Sequence, residues 1–215
     1  FVISQVYTDV MNSTRYRALL LVAVVLFYAW TLIGAVDLFT WALEIFPAVL
    51  GGIVLAVTYR RFPLSNLSYT LIAIHMMILA YGGRTTYAET PLGFWLSDIF
   101  GWSRNNYDKI GHFMQGFGPV IWGREILIRL DVVKRKGWLN PLLVLAILGT
   151  SAFYELIEWW VSLGSGSAGD AFLGTQGYVW DTQSDMLMAL IGGIIALLLL
   201  GKLHDHSMKK LASTQ

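Results

Sequence analysis

The sequence predicts an all-α protein, a polytopic membrane helical bundle of about six transmembrane helices with an interfacial or re-entrant segment in its third loop. Three observations carry this. Apolar residues make up 56% of the 215 residues and charged residues only 13%, where a soluble domain carries about a quarter charged. The mean hydropathy is +0.59. The apolar residues also gather into runs close to the ~20 residues that cross a bilayer, at about 18–36, 41–58, 67–83, 109–128, 140–162 and 185–203. These runs take up most of the chain, so residues 1–215 are expected to form one integral membrane domain.

The first run follows Arg15 and Arg17 and lacks a small-x-small cleavage site before Asp37. That favours a first membrane helix over a signal peptide. Phe1 is not an initiator, and Met11 offers an alternative start. The second run begins after a short turn at Asp37 and contains Glu44. The third carries His75 alone among Met and Ile, which reads as a satisfied core histidine. The long third loop contains Pro91-Leu-Gly-Phe-Trp-Leu, the composition of a helix lying in the interface. The fourth run is the most polar, with His112, Gln115, Gly116, Gly118, Pro119, Arg124 and Glu125. A polar helix at membrane depth must face protein or water, so it is expected at the centre, kinked at Pro119. Arg124 and Glu125 read as structural glue, paired with each other or with Glu44. Gly192-Gly193 in the sixth run favours close helix packing. His204-Asp-His206 reads as a solvated tail beside lysines. Trp30, Trp41, Trp138, Trp159 and Trp160 stand near span ends, as interfacial belts require.

Loop charge sets the expected orientation. Arg15, Arg17, Arg60, Arg61, Arg129, Lys134, Arg135, Lys136, Lys202, Lys209 and Lys210 all fall on one side of a six-span chain. The positive-inside rule makes that side the cytoplasm, with both termini there. The loops Gly82 to Asp108 and Gly164 to Trp180 then lie outside, and Gly174-Thr-Gln-Gly177 permits close backbone approach to a ligand. A net charge of +1 gives no indication of a nucleic-acid partner, and zero cysteines exclude disulfides and thiolate metal sites.

Six ionisable residues form helix-spaced pairs: Asp108 with His112, Glu155 with Glu158, and Asp181 with Asp185. Spacings of three and four put each pair on one helix face. At 1.5 Å rise per residue, all six fall within about two turns of the outer boundary. Asp108 and Asp181 taken singly also suit helix N-termini, whereas Glu155 and Glu158 oppose the dipole at a helix C-terminus. They need a metal, shared protons, or the loop cations Arg84, Arg104 and Lys109. Carboxylates with one imidazole suit Mg, Mn, Fe or Zn without distinguishing among them.

Arg104-Asn-Asn-Tyr-Asp-Lys-Ile-Gly-His-Phe-Met-Gln, Tyr154-Glu-Leu-Ile-Glu-Trp-Trp160, Phe172-Leu-Gly-Thr-Gln-Gly and Trp180-Asp-Thr-Gln-Ser-Asp-Met186 resemble the YjdF family of bacterial inner-membrane proteins over nearly the whole chain. Tyr178 stands where that pattern suggests an acidic residue. Asp-Lys-x-x-His at one helix start, Glu near the next helix end and Asp at the following start also resemble, more distantly, the VanZ-like membrane proteins linked to glycopeptide tolerance. Both resemblances imply a cell-envelope setting and carry over no reaction.

The expectation is an inner-membrane protein with a pocket on the periplasmic face, holding a divalent metal on Asp108, His112, Glu155, Glu158, Asp181 and Asp185. Metal-assisted hydrolysis or transfer on a lipid-linked or headgroup phosphate would use Glu155 or Glu158 as base and Arg84 and Arg104 on the anion. A small-solute or proton-coupled transporter and a non-catalytic envelope scaffold are the alternatives. Membrane lipids are the expected surroundings in every case.

Overall fold

The computed structural model describes residues 2–165 and 176–213, and these contain seven α-helices and no strand. They are α1 Val2–Ile33, α2 Leu38–Thr58, α3 Asn66–Thr85, α4 Pro91–Phe100, α5 Tyr107–Arg129, α6 Leu139–Ser165 and α7 Asp181–Ala212. Five of the six expected apolar runs lie within a long helix, and the first, 18–36, overruns the end of α1 at Ile33 by three residues; α4 supplies the short helix anticipated in the third loop.

Local chemistry sets several boundaries. Asp37 caps α2, accepting hydrogen bonds from the Thr40 hydroxyl at 2.5 Å and the Thr40 amide at 2.9 Å. Together with the Phe39 amide, these donors hold the Asp37 carboxyl below the usual carboxylate range, the Thr40 hydroxyl most of all. Ser65 caps α3 through the Ser68 amide. Thr90 caps α4, which ends at Gly101 in the left-handed conformation that glycine adopts without strain. Gly93 and Ser97 face inward on α4, while Phe94, Trp95, Ile99 and Phe100 are exposed on its other side.

Four helices are long and apolar enough to cross a membrane by length and composition: α1 from Met11, α2, α6 to Gly164, and α7. Helices α3 and α5 fall short because polar and ionisable residues dilute their apolar character. Both are flanked by the others. Helix α3 packs on α1, α2 and α5, and α5 packs on α3, α6 and α7. A helix surrounded by protein has no need of a wholly apolar circumference.

The most extensive helix contact is α5 with α7. Small residues allow it: a Cβ on Gly116 would collide with the Ala189 carbonyl, and one on Gly192 with the Phe113 carbonyl. Leu71, Val120, Ile121, Leu143, Ile147, Ala189 and Ala196 form the buried cluster around this seam. Pro119 lies within the single helical span of α5.

Two readings of individual residues are corrected. His204 is fully buried rather than solvated, because α7 continues to Ala212 and turns that position toward α5. Its Nε2 lies 3.2 Å from Glu125 Oε2 and its Nδ1 lies 3.1 Å from Arg124 Nη1. Glu44 is not the partner of Arg124 and Glu125. Arg124 pairs with Asp205 at 2.8 Å, and Glu125 accepts from Ser65, Ser68 and Arg129 at 2.7–2.9 Å. Glu44 sits near the start of α2 and the Glu125 network near the end of α5, so the two belong to opposite ends of the bundle.

Candidate functional site

The end of the bundle that carries the acidic pairs is assembled by its loops before any charge is placed. Asn105 is almost fully buried and ties three segments together. Its amide group donates to the Thr90 carbonyl at 2.9 Å, and its Oδ1 accepts from the Tyr107 amide at 3.0 Å. Its backbone exchanges two hydrogen bonds with the Gln176 side chain, at 3.2 and 2.7 Å. The segments preceding α4, α5 and α7 are therefore held in register, and α5 and α7 begin side by side. Of the Gly174–Gly177 run, Gln176 and Gly177 are described, both at positive φ. Residues 174 and 175 lie outside the described residues.

His112, buried on α5, is where the three pairs meet. Its Nε2 lies 3.3 Å from Asp108 Oδ1 on its own helix, 3.6 Å from Glu155 Oε1 of α6 and 3.8 Å from Asp185 Oδ1 of α7. Its Nδ1 lies 3.1 Å from Gln115 Oε1. With the amide oxygen facing the ring, the Nδ1 proton is donated there and Nε2 is turned to the carboxylates. Ligand atoms of His112, Glu155 and Glu158 lie within 4.8 Å of one another, as do those of Asp108, His112 and Asp185. Either trio is close enough to hold one metal ion.

Asp181 has a different role. Lys109 Nζ bonds Asp181 Oδ1 at 2.8 Å and Asp185 Oδ1 at 2.6 Å, and Arg104 Nη2 bonds Asp181 Oδ1 at 2.6 Å. Arg104 also lies over the Tyr178 ring at 4.6 Å. Aromatic contact replaces an ion pair at the position where the family pattern suggested an acid. Arg84 lies elsewhere. Its guanidinium stacks 4.3 Å from the Trp30 ring and packs against Gly34, with its Nε buried and unpartnered.

Beside His112 lies a cavity of about 200 Å³ lined by Glu44, His75, Tyr87, Asp108, Tyr154 and Glu158 among others. Glu44 and His75 are the residues that sequence reasoning passed over as site members. Glu44 could have been found as a carboxylate within an apolar run, about as deep as Glu155 and near the same end of the chain's helices. His75 stacks on Trp122 at 6.2 Å and faces the same cavity, so it has an apolar neighbour as well as a polar one. The site groups the carboxyl groups of Glu44, Asp108, Glu155, Glu158, Asp181 and Asp185 with the nitrogen groups of His75, Arg104, Lys109 and His112. One carboxylate oxygen, Glu155 Oε1, is buried with no hydrogen-bond partner.

A profile described as "Predicted membrane protein (DUF2238)" matches residues 16–206. The chain belongs to this family. It is 45% identical over 181 residues to the inner membrane protein YjdF of Escherichia coli (strain K12), covering 84% of this chain and 87% of that protein. No solved structure matches the chain. DUF2238 membership makes this an integral membrane protein, and the acidic pairs on α5, α6 and α7, from Asp108 to Asp185, all lie within the matched region.

Proposed function

We propose that this DUF2238 protein spans the bacterial inner membrane six times, with both termini cytoplasmic. In this reading the acidic end of the bundle is a divalent-cation centre acting on a phosphate-bearing lipid headgroup. One observation carries the cation: Glu155 Oε1 is buried without a hydrogen bond, 3.6 Å from His112 Nε2 and within reach of Glu158. A buried carboxylate oxygen left without a hydrogen bond is costly. A cation would remove that cost, and the donor set of imidazole and carboxylates suits Mg, Mn, Fe or Zn.

His112, Glu155 and Glu158 would hold the ion, with Asp108 and Asp185 completing its surroundings. When bound, such an ion supplies positive charge and Lewis acidity toward a phosphoryl oxygen. The chain's own residues do the rest. Gln115 fixes the His112 ring through Nδ1. Glu158 and Glu44 line the cavity and are placed to accept a proton from water there. Arg104 and Lys109 hold Asp181 and Asp185 in place and bring positive charge to the rim, where Arg104 would face an anionic headgroup.

Elemental analysis of the purified protein tests this reading. The wild type should retain a divalent metal near one equivalent, and His112→Ala and Asp185→Ala should lose it while remaining folded. Metal-free wild-type protein would overturn the cation centre. Loss of folding in both variants, with no metal in the wild type, would favour an ion-pair network that joins α5, α6 and α7.

A further inference from the structure

At the opposite end of the bundle, two adjoining cavities share one cation. The first, about 310 Å³, lies among α1, α3 and α7, with the polar side chains of Arg17, Asn66, His206, Ser207 and Lys210 on its walls beside three leucines. The second, about 420 Å³, is an apolar groove among α1, α2 and α3, lined by Leu21, Val24, Gly52, Ile72 and Met76 among others. Arg17 lines both.

We propose that these two cavities form a binding site for one anionic phospholipid, its phosphate beside Arg17 and Lys210 in the first cavity and an acyl chain in the groove. This site is separate from the acidic centre and does not depend on it. Three features commit it to that occupant. The groove follows α1 from Thr14 to Val24, about 15 Å at 1.5 Å per residue, which is the depth of one leaflet of a ~30 Å hydrocarbon core. Its apolar walls open beside the charged residue rather than away from it. Arg17 itself makes no ion pair among the described residues. Its Nε donates to Asn66 Oδ1 at 2.9 Å, and its guanidinium lies 5.1 Å from the Tyr69 ring. These contacts fix the fork in place while leaving its charge without an ion-pair partner among the described carboxylates. A guanidinium so held matches a phosphate oxygen pair. Basic pockets between membrane helices recognise anionic headgroups in this way.

The groove exists because α1 and α2 both pack on α3 and meet each other near their connecting turn, where Trp41 Nε1 donates to Thr31 Oγ1 at 3.2 Å. Below that point the space between them is open, and a Cβ on Gly52 would have Met76 Cε at 3.8 Å as its nearest neighbour.

The test uses the full chain in detergent, offered equal amounts of dioleoylphosphatidylglycerol and dioleoylphosphatidylcholine, with retained lipid read by native mass spectrometry. Phosphatidylglycerol should be retained preferentially. Arg17→Gln and Lys210→Gln should each lower its retention about fivefold, the ratio expected for one basic side chain near an anionic lipid. Gly52→Phe should lower retention by filling the groove, with an unchanged melting temperature because the new side chain enters open space. If Arg17→Gln fails to fold, Lys210→Gln and Gly52→Phe carry the test alone. Equal retention of the two lipids overturns the proposal, as does unchanged retention in both Lys210→Gln and Gly52→Phe. Displacement of the lipid by free glycerol 3-phosphate, with no effect of Gly52→Phe, would show a soluble phosphate site and also overturn it.

Discussion

Lys109 Nζ stands 2.6 Å from Asp185 Oδ1 and so joins the first turn of α5 to the second turn of α7. The same ammonium reaches Asp181, making Lys109 the counter-charge for both acids of that pair. His112 and the carboxyl groups around it are packed behind this contact, so its removal tests what holds the acidic end together.

Lys109→Met should destabilise the protein by about 3 kcal/mol, the range for removing one partner of a buried ion pair. Thermal unfolding in detergent measures this. Adding Asp185→Asn to Lys109→Met should recover part of the loss, since it removes one of the acids left without its partner. An unchanged melting temperature in the single variant would mean that water already compensates Asp181 and Asp185.

Glu125 is fully buried and has four partners at the other end of α5: Ser65, Ser68, Arg129 and His204. Glu125→Ala should cost about 3 kcal/mol by leaving those donors unpaired, without altering the metal content of the acidic centre. A metal loss equal to the wild-type content would show that the two ends are not independent.

Gly116→Leu and Gly192→Leu should each destabilise by about 2 kcal/mol or more, because both new side chains meet backbone carbonyls across the α5–α7 seam. Gly149→Leu, in open space on α6, serves as the control and should be near neutral. Equal losses at all three positions would remove the close-packing argument.

Asp37 has a depressed carboxyl pKa from its capping bonds to Thr40 and Phe39. Its contribution is therefore complete above the unfolded-state pKa of about 3.9 and is lost as pH falls through the lower folded-state value. The melting-temperature gap between wild type and Asp37→Ala should be constant from pH 7 to about 5 and close at lower pH. A gap independent of pH over the whole acid range would show that the capping bonds do not need the carboxylate.

A periplasm-active phosphatase fused at Gly177 should be active and one fused at Gly137 inactive, as six spans with cytoplasmic termini require. The opposite pattern would place the acidic centre at the cytoplasmic face.

The long helices were legible in the sequence because an apolar run of bilayer length has few other uses, and the structure sets the starts of α2 and α3 with the caps Asp37 and Ser65. The pairings Asp108/His112, Glu155/Glu158 and Asp181/Asp185 were legible for a similar reason, since a spacing of three or four fixes which residues share a helix face. What no spacing could decide was how those faces meet. The α5–α7 seam at Gly116 and Gly192 sets the distance from which Lys109 reaches both Asp181 and Asp185 and leaves His112 to Glu155. The same geometry brought Glu44 from α2 into the cavity, put Arg84 against Trp30, and buried His204 beside Glu125. Helical periodicity is a local property, encoded within about four residues. Which side chains come together across helices depends on packing among residues far apart in the chain, such as Arg124 and His204, 80 positions apart, and only the tertiary structure decides it.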